Sequence, residues 1–243
     1  MSNLRYNRVI FHNLKYMKKI ILSIIILFSI ISYASSHIEH YKMYDYLEYE
    51  LFRNNKSIGF HKYRFDRKED NLIVKSEVEF NISKLGVNLY EYSAESDEVY
   101  KNNDFFKFSS KTNQNKKQKF VNIDVDPIDN ELLINGSSFQ GKTSKEHIVG
   151  TWWNHEIINA KAQISAISGR IIEQNVTFIG KEQITIGGKT YNTLHFNFKS
   201  SDLSLPDNKK LNTDIWYEEG TYLWVKAAFD KRGFWEYRLK TYK

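Results

Sequence analysis

Not one of the chain's 243 residues is a cysteine. That excludes disulfides, thiolate metal sites, a cysteine nucleophile and a lipid-modified N-terminal cysteine. Proline occurs twice, at Pro127 and Pro206, each in a turn-like stretch where a missing N–H does no harm. Beyond residue 35 there is no second long apolar segment, no coiled-coil heptad and no low-complexity linker. A one-signed charge excess is missing from that region too. The chain carries 35 Lys+Arg against 29 Asp+Glu, but Arg5, Arg8, Lys15, Lys18 and Lys19 precede residue 35 and no acid does. Taking those five from 35 leaves 30 bases against 29 acids, a net charge of +1, which disfavours nucleic acid as a partner. What is present is apolar: 41% hydrophobic residues, with aromatics at 15% of the chain, too much for a disordered protein.

The basic N-terminal residues belong to a targeting segment. Lys15, Lys18 and Lys19 precede the apolar run Ile20 to Ile31, interrupted only by Ser23 and Ser29, and small residues follow at Ser32 and Ala34. A positive stretch, a short apolar stretch and an A-x-A-like end describe a secretory signal peptide over residues 1–34. A run of about 12–14 residues makes roughly 20 Å of helix, short of the ~30 Å bilayer core, so a permanent membrane span is disfavoured. The alternative is an uncleaved anchor. Met17 offers a second start, which would make residues 1–16 an extension or a long n-region. The expectation is a periplasmic protein with a tail at 35–43 and a single β domain at 44–243.

Period-two alternation dominates that region, the signal for antiparallel strands with one buried face. In Leu72–Ile82, Val74, Val78, Phe80 and Ile82 fall on one face, and Lys75, Glu77, Glu79 and Asn81 on the other. Leu194, Phe196 and Phe198 alternate with Thr193, His195 and Asn197, and Leu223, Val225, Ala227 and Phe229 repeat the pattern. Turn signals at Asn54-Asn55, Asn102-Asn103, Gly187-Gly188 and elsewhere cut the chain into about a dozen strands. So many strands favour a strongly curved antiparallel sheet or barrel over a flat open sheet. One interruption stands out. Trp153, Ile157, Ala160 and Ile164 recur at helical spacing between a Thr151 cap and a Gly169 stop, predicting one short helix near 152–163.

Trp152-Trp153-Asn154, then Ile164 to Gly169, resembles the aromatic-Trp-Asn and Ser-Gly signature of a family of exported bacterial proteins catalogued as a domain of unknown function. Gly180-Lys181-Glu182, Ile186-Gly187-Gly188, Ile215-Trp216-Tyr217, Gly233 and Tyr237 follow in the family's order. The resemblance covers most of residues 44–240 and departs from the pattern at Trp152, where Tyr is usual, and at Ser165, where an acid or amide is usual. It implies export and an all-β fold, and it carries over no catalytic residues.

Read on their own, few residues point to chemistry. There is no H-E-x-x-H, no G-x-S-x-G and no glycine-rich phosphate loop. The alternation points His61 inward, with Tyr63 and Phe65. Asn154 and His155, beside the two tryptophans, are the candidates for a catalytic cleft. The carboxylate pairs Glu95/Asp97 and Asp124/Asp126 each share a strand face, as a solvated face also would. Cleavage after Ala34 would expose Ser35-Ser36-His37, whose amine, two amides and imidazole form a square-planar nitrogen set for Cu(II) or Ni(II). Trp152, Trp153, Trp216, Trp224 and Trp235 crowd the C-terminal half. Core packing accounts for most of them, and the alternative is an aromatic-lined pocket for an apolar small molecule or lipid. Three functional readings follow: a non-enzymatic binding or envelope-maintenance protein without a cofactor, an envelope enzyme with a site at Asn154/His155, and an outer-membrane β-barrel.

Overall fold

The computed structural model describes residues 41–243. They form fifteen strands: β1 Tyr46–Arg53, β2 Lys56–Lys68, β3 Asn71–Lys84, β4 Val87–Lys101, β5 Asp104–Gln114, β6 Lys117–Val125, β7 Glu131–Gly136, β8 Gln140–Ser144, β9 Ile148–Val149, β10 Ala162–Ile164, β11 Ile171–Ile186, β12 Lys189–Ser200, β13 Asn212–Glu218, β14 Trp224–Asp230 and β15 Phe234–Tyr242. All belong to one sheet of order β8-β7-β6-β5-β4-β3-β2-β1-β15-β14-β13-β12-β11-β10-β9. Every described pairing is antiparallel except β9 with β10. The first and last strands meet in the middle of the sheet, and residues from the middle of the chain form its two edges.

Those edges are drawn together. The Ser138 amide donates to the Ser168 carbonyl (2.9 Å) and the Ser110 hydroxyl to the Ala166 carbonyl (2.6 Å). Gly136 lies so close to this strap that a Cβ there would stand 2.6 Å from the Ser168 carbonyl, a contact only glycine avoids. Phe108, Val121, Ile123, Leu132, Ile134, Val149 and Ile164 bury a small apolar cluster beneath the closure. The larger core occupies the inner face, where Tyr49, Tyr63, Phe65, Val74, Val78, Phe80, Phe198, Ile215 and Tyr217 are buried as their alternation requires. Strand polarity sorts the turns into two rims. The 54–55, 85–86, 115–116 and 231–233 turns and the 201–211 loop share one rim, and the 69–70, 102–103, 187–188 and 219–223 turns share the other.

The predicted helix is not there. A single 3-10 turn, His155–Ile158, takes its place, and Ala162–Ile164 is a strand. The reason lies in the competing partners. The Ile157 and Ala160 carbonyls, which a longer helix would use internally, accept from Gln174 Nε2 at 2.9 and 3.0 Å. Gln163 and Ile164 pair with β9 on one side and β11 on the other.

Candidate functional site

The segment from Thr151 to Ala160 runs against the inner face and is fixed there by a buried carboxylate. Glu98, on β4, is 2% exposed. It accepts from Trp153 Nε1 (2.9 Å), Thr151 Oγ1 (3.2 Å) and the Tyr100 hydroxyl. Burial pushes the Glu98 carboxyl up, while the hydrogen bonds from Tyr100, Trp153 and Thr151 pull it down. Asn154 Nδ2 donates to the Tyr100 hydroxyl (3.3 Å), and its Oδ1 accepts the Glu156 amide (3.1 Å), capping the 3-10 turn. Tyr63 and Tyr217 donate to the Thr151 and Trp152 carbonyls at 2.6 and 2.9 Å. Trp153 packs edge-on against Tyr41, Phe65 and Tyr100. His155 stacks on Tyr222 with ring centroids 4.4 Å apart. Asn154 and His155, the two candidate catalytic residues, are therefore buried within a structural clasp.

Trp152 behaves differently. Its φ is 60°, the left-handed region, which a bulky residue enters only at a cost of about 1–3 kcal/mol. That twist sends its ring away from the clasp, edge-on to Trp224 (5.4 Å), Tyr237 (5.5 Å) and Phe229 (6.5 Å). There it lines a cleft of about 330 Å³ with Leu211, Thr213, Phe229, Lys210 and Lys231, and with Asp207 and Asp230. Apart from Trp152, these residues come from the 201–211 loop, the start of β13, the end of β14 and the β14–β15 connection, so the cleft opens at that rim. Lys210 pairs with Asp207 (3.0 Å). Lys231 has cationic neighbours: partial burial first, then Arg170 and Arg232, lower its pKa. Such a crowd of cations favours an arriving anion.

The other tryptophans divide between the faces. Trp224 is buried inside, stacked on Tyr49 at 4.0 Å, because the register shift between Trp216 and Tyr217 sets it opposite Tyr217. Trp235 lies beside Phe229 and Phe80. Trp216 faces outward, stacked on His195 at 4.2 Å, with Nε1 donating to Glu182. His195 sits between Glu182 (2.9 Å) and Asp214 (3.0 Å), and this cluster ties three strands together. His61 is inward, as its alternation predicts; Nε2 meets the Ser76 hydroxyl at 2.8 Å, and burial pushes its pKa down to about 3. The Glu95/Asp97 pair lies in an open outer trough of about 640 Å³, among Lys62, Arg64, Lys75, Glu77 and Lys111. Asp126 accepts the Ile128 amide (2.9 Å) and pairs with Lys142 (2.8 Å). Ser35, Ser36 and His37 lie outside the described residues. Among the described residues, no three His, Asp or Glu side chains gather where they could hold a metal ion.

Sequence reasoning missed Glu98, Lys210, Leu211 and Lys231. Glu98 had a signal: Ala94, Ser96 and Glu98 continue the face opposite Val78, Ser76 and Val74. The cleft residues lie on separate rim loops that only the fold brings together.

The described residues thus define an all-β protein with one large curved sheet. Comparison with known proteins agrees. The family described as domain of unknown function DUF6134 matches residues 49–240, and the chain belongs to that family. A beta-barrel-like protein of domain of unknown function DUF1849 from Brucella abortus has a similar fold. It is 11% identical, with a TM-score of 0.58, over 82% of this chain and 96% of that one. A DUF1329 family protein from Desulfovibrio piger aligns at 10% identity over 86% of this chain and 90% of that one, but with a TM-score of 0.25. No curated protein matches the chain.

Proposed function

We propose that the protein is exported to the periplasm and works there as a non-enzymatic binding protein for an amphiphile with an acidic head and an apolar body. The observation that carries this reading is Trp152. A half-buried indole is held in a costly backbone conformation and lines a cleft whose rim carries Lys210 and Lys231. Leu211, Phe229 and Trp152 offer apolar surface to the body of the ligand, and the ammonium groups offer charge to its head. The volume sits at the lower end of small-molecule sites, which are about 300–1,000 Å³. The signal-like segment at 1–34 supports export.

The two competing readings fare worse. An enzymatic site at Asn154/His155 would need substrate access to side chains 9% and 4% exposed. An outer-membrane barrel would turn Lys62, Arg64, Lys75, Glu77, Glu95 and Asp97 toward lipid, at about 2–4 kcal/mol for each midplane Lys or Arg.

Titration with a fluorescent fatty acid tests the proposal. Wild type should bind one equivalent. Trp152→Ala should weaken binding at least tenfold, and Lys231→Gln several-fold. Equal affinity in all three proteins would refute the site.

A further inference from the structure

The β3–β4 hairpin is longer than its neighbours can cover. Pairing of β2 with β3 stops at Gly59↔Phe80, and pairing of β4 with β5 begins at Tyr92↔Gln114. The Asn115 amide still donates to the Glu91 carbonyl (2.8 Å), and beyond it the pairs Ile82↔Tyr90, Ser83↔Asn88 and Lys84↔Val87 have no ladder partner in β2 or β5. At about 3.3 Å per residue these three pairs carry the hairpin roughly 10 Å beyond its last bond to the β5 side.

Its tip is built against local preference. Leu85 and Gly86 form the turn with φ of 51° and 79°. Two central residues with positive φ favour Asn-Gly or Asp-Gly, and Asn-Asn serves at 54–55 and 102–103 in this chain. Here a leucine occupies the first position with 95% of its surface exposed, followed by Val87 at 60% and Leu89 at 54%. Left-handed backbone and an apolar side chain in water are both unfavourable, so folding does not explain this choice of residue.

Charge supplies the second observation. The turns of the hairpin's own rim carry Lys56, Lys84, Lys116, Lys117, Lys231 and Arg232, all exposed, against the exposed Asp230; its 201–211 loop adds Asp202 and Asp207 against Lys209 and Lys210, so the rim stays net basic. The opposite rim carries Glu69, Asp70, Asp104 and Glu219 beside Lys68, Lys101 and Lys189. The chain is nearly neutral after residue 35, so this basicity is a matter of placement.

We infer that this rim docks on an anionic lipid surface, with Leu85, Val87 and Leu89 entering the headgroup boundary and the lysines meeting lipid phosphates. An apolar tip with flanking lysines is the combination an anionic interface binds, because lipid takes up the side chains and its negative potential attracts the cations. The inference stands apart from the amphiphile reading, although the Trp152 cleft opens at the same rim.

The test is co-sedimentation of the mature protein with vesicles of phosphatidylcholine and phosphatidylglycerol (70:30), against vesicles of phosphatidylcholine alone. Wild type should bind the anionic vesicles at least tenfold more tightly and release in high salt. Replacing Lys84, Lys116 and Lys117 by Gln should weaken binding roughly fivefold for each lysine. Leu85→Asn with Val87→Thr and Leu89→Thr should weaken it at least tenfold. Asn suits the left-handed turn and Thr suits a strand, so an unchanged thermal melt will report that this variant is folded. Its fatty-acid titration should match wild type, which separates failure of docking from failure of the cleft. Absence of vesicle binding, equal binding to both vesicles, or full binding by the tip variant would overturn the inference.

Discussion

Trp153→Ala probes the clasp that fixes the inner segment. The indole is 1% exposed, packs against Tyr41, Phe65 and Tyr100, and gives its N–H to Glu98. Truncating a buried tryptophan costs about 3–5 kcal/mol. Removing one of three donors from a buried carboxylate adds about 1–3 kcal/mol. Neighbouring effects overlap, so the working figure is about 4–6 kcal/mol, a large share of a domain's total of about 5–15. At about 2–4 °C per kcal/mol for a domain of this size, the melting temperature should fall by roughly 10–20 °C. Trp153→Phe keeps one aromatic ring but loses the pyrrole ring with its N–H, so it should recover only part of that loss. The assay is thermal unfolding by circular dichroism. A shift below about 3 °C for Trp153→Ala would refute the clasp as a stability element, since exposed positions change stability by only about ±0.5 kcal/mol.

Glu98→Gln should be better tolerated at pH 7 than at pH 4. The folded pKa of Glu98 is raised, so its contribution is full below the unfolded value and is lost as pH rises through the folded one; denaturant melts at both pH values check the sign. His61 has a folded pKa near 3, so the fold resists its protonation and loses stability as pH falls below about 6.5. His61→Phe should flatten the acid limb by about 1.4 kcal/mol per pH unit, and an unchanged slope would contradict the burial argument. Intact mass of periplasmic protein should match cleavage next to Ala34, and a species retaining Ile20–Ile31 would make that segment an anchor.

The sheet was legible because alternation is local. Val74, Val78 and Phe80, and likewise Phe196 and Phe198, lie on the inner face their parity assigns. The strand count fell short because β9 and β10 are too short to show alternation. The helix at 152–163 was misread because Trp153, Ile157, Ala160 and Ile164 are buried at helical spacing without lying on one helix face: Trp153 and Ile157 enter the larger core, and Ile164, on a strand, enters the small cluster under the closure. What decides against a helix is Gln174, distant in sequence, which takes the carbonyls a helix would need. The aromatic cluster was visible as composition but not as two faces, since a one-residue register shift moves Trp224 inward beside an outward Trp216. Trp152 announced itself only as a departure from the family's usual tyrosine. Its positive φ comes from the turn that passes the chain from β9 into the clasp.

Native mass spectrometry of protein purified from its own periplasm tests the binding reading most directly. The wild-type protein should carry a bound amphiphile of lipid mass, released by organic extraction, and Trp152→Ala should arrive empty while melting like wild type. Wild-type protein at its bare polypeptide mass, or a bound species that survives Trp152→Ala unchanged, would contradict it.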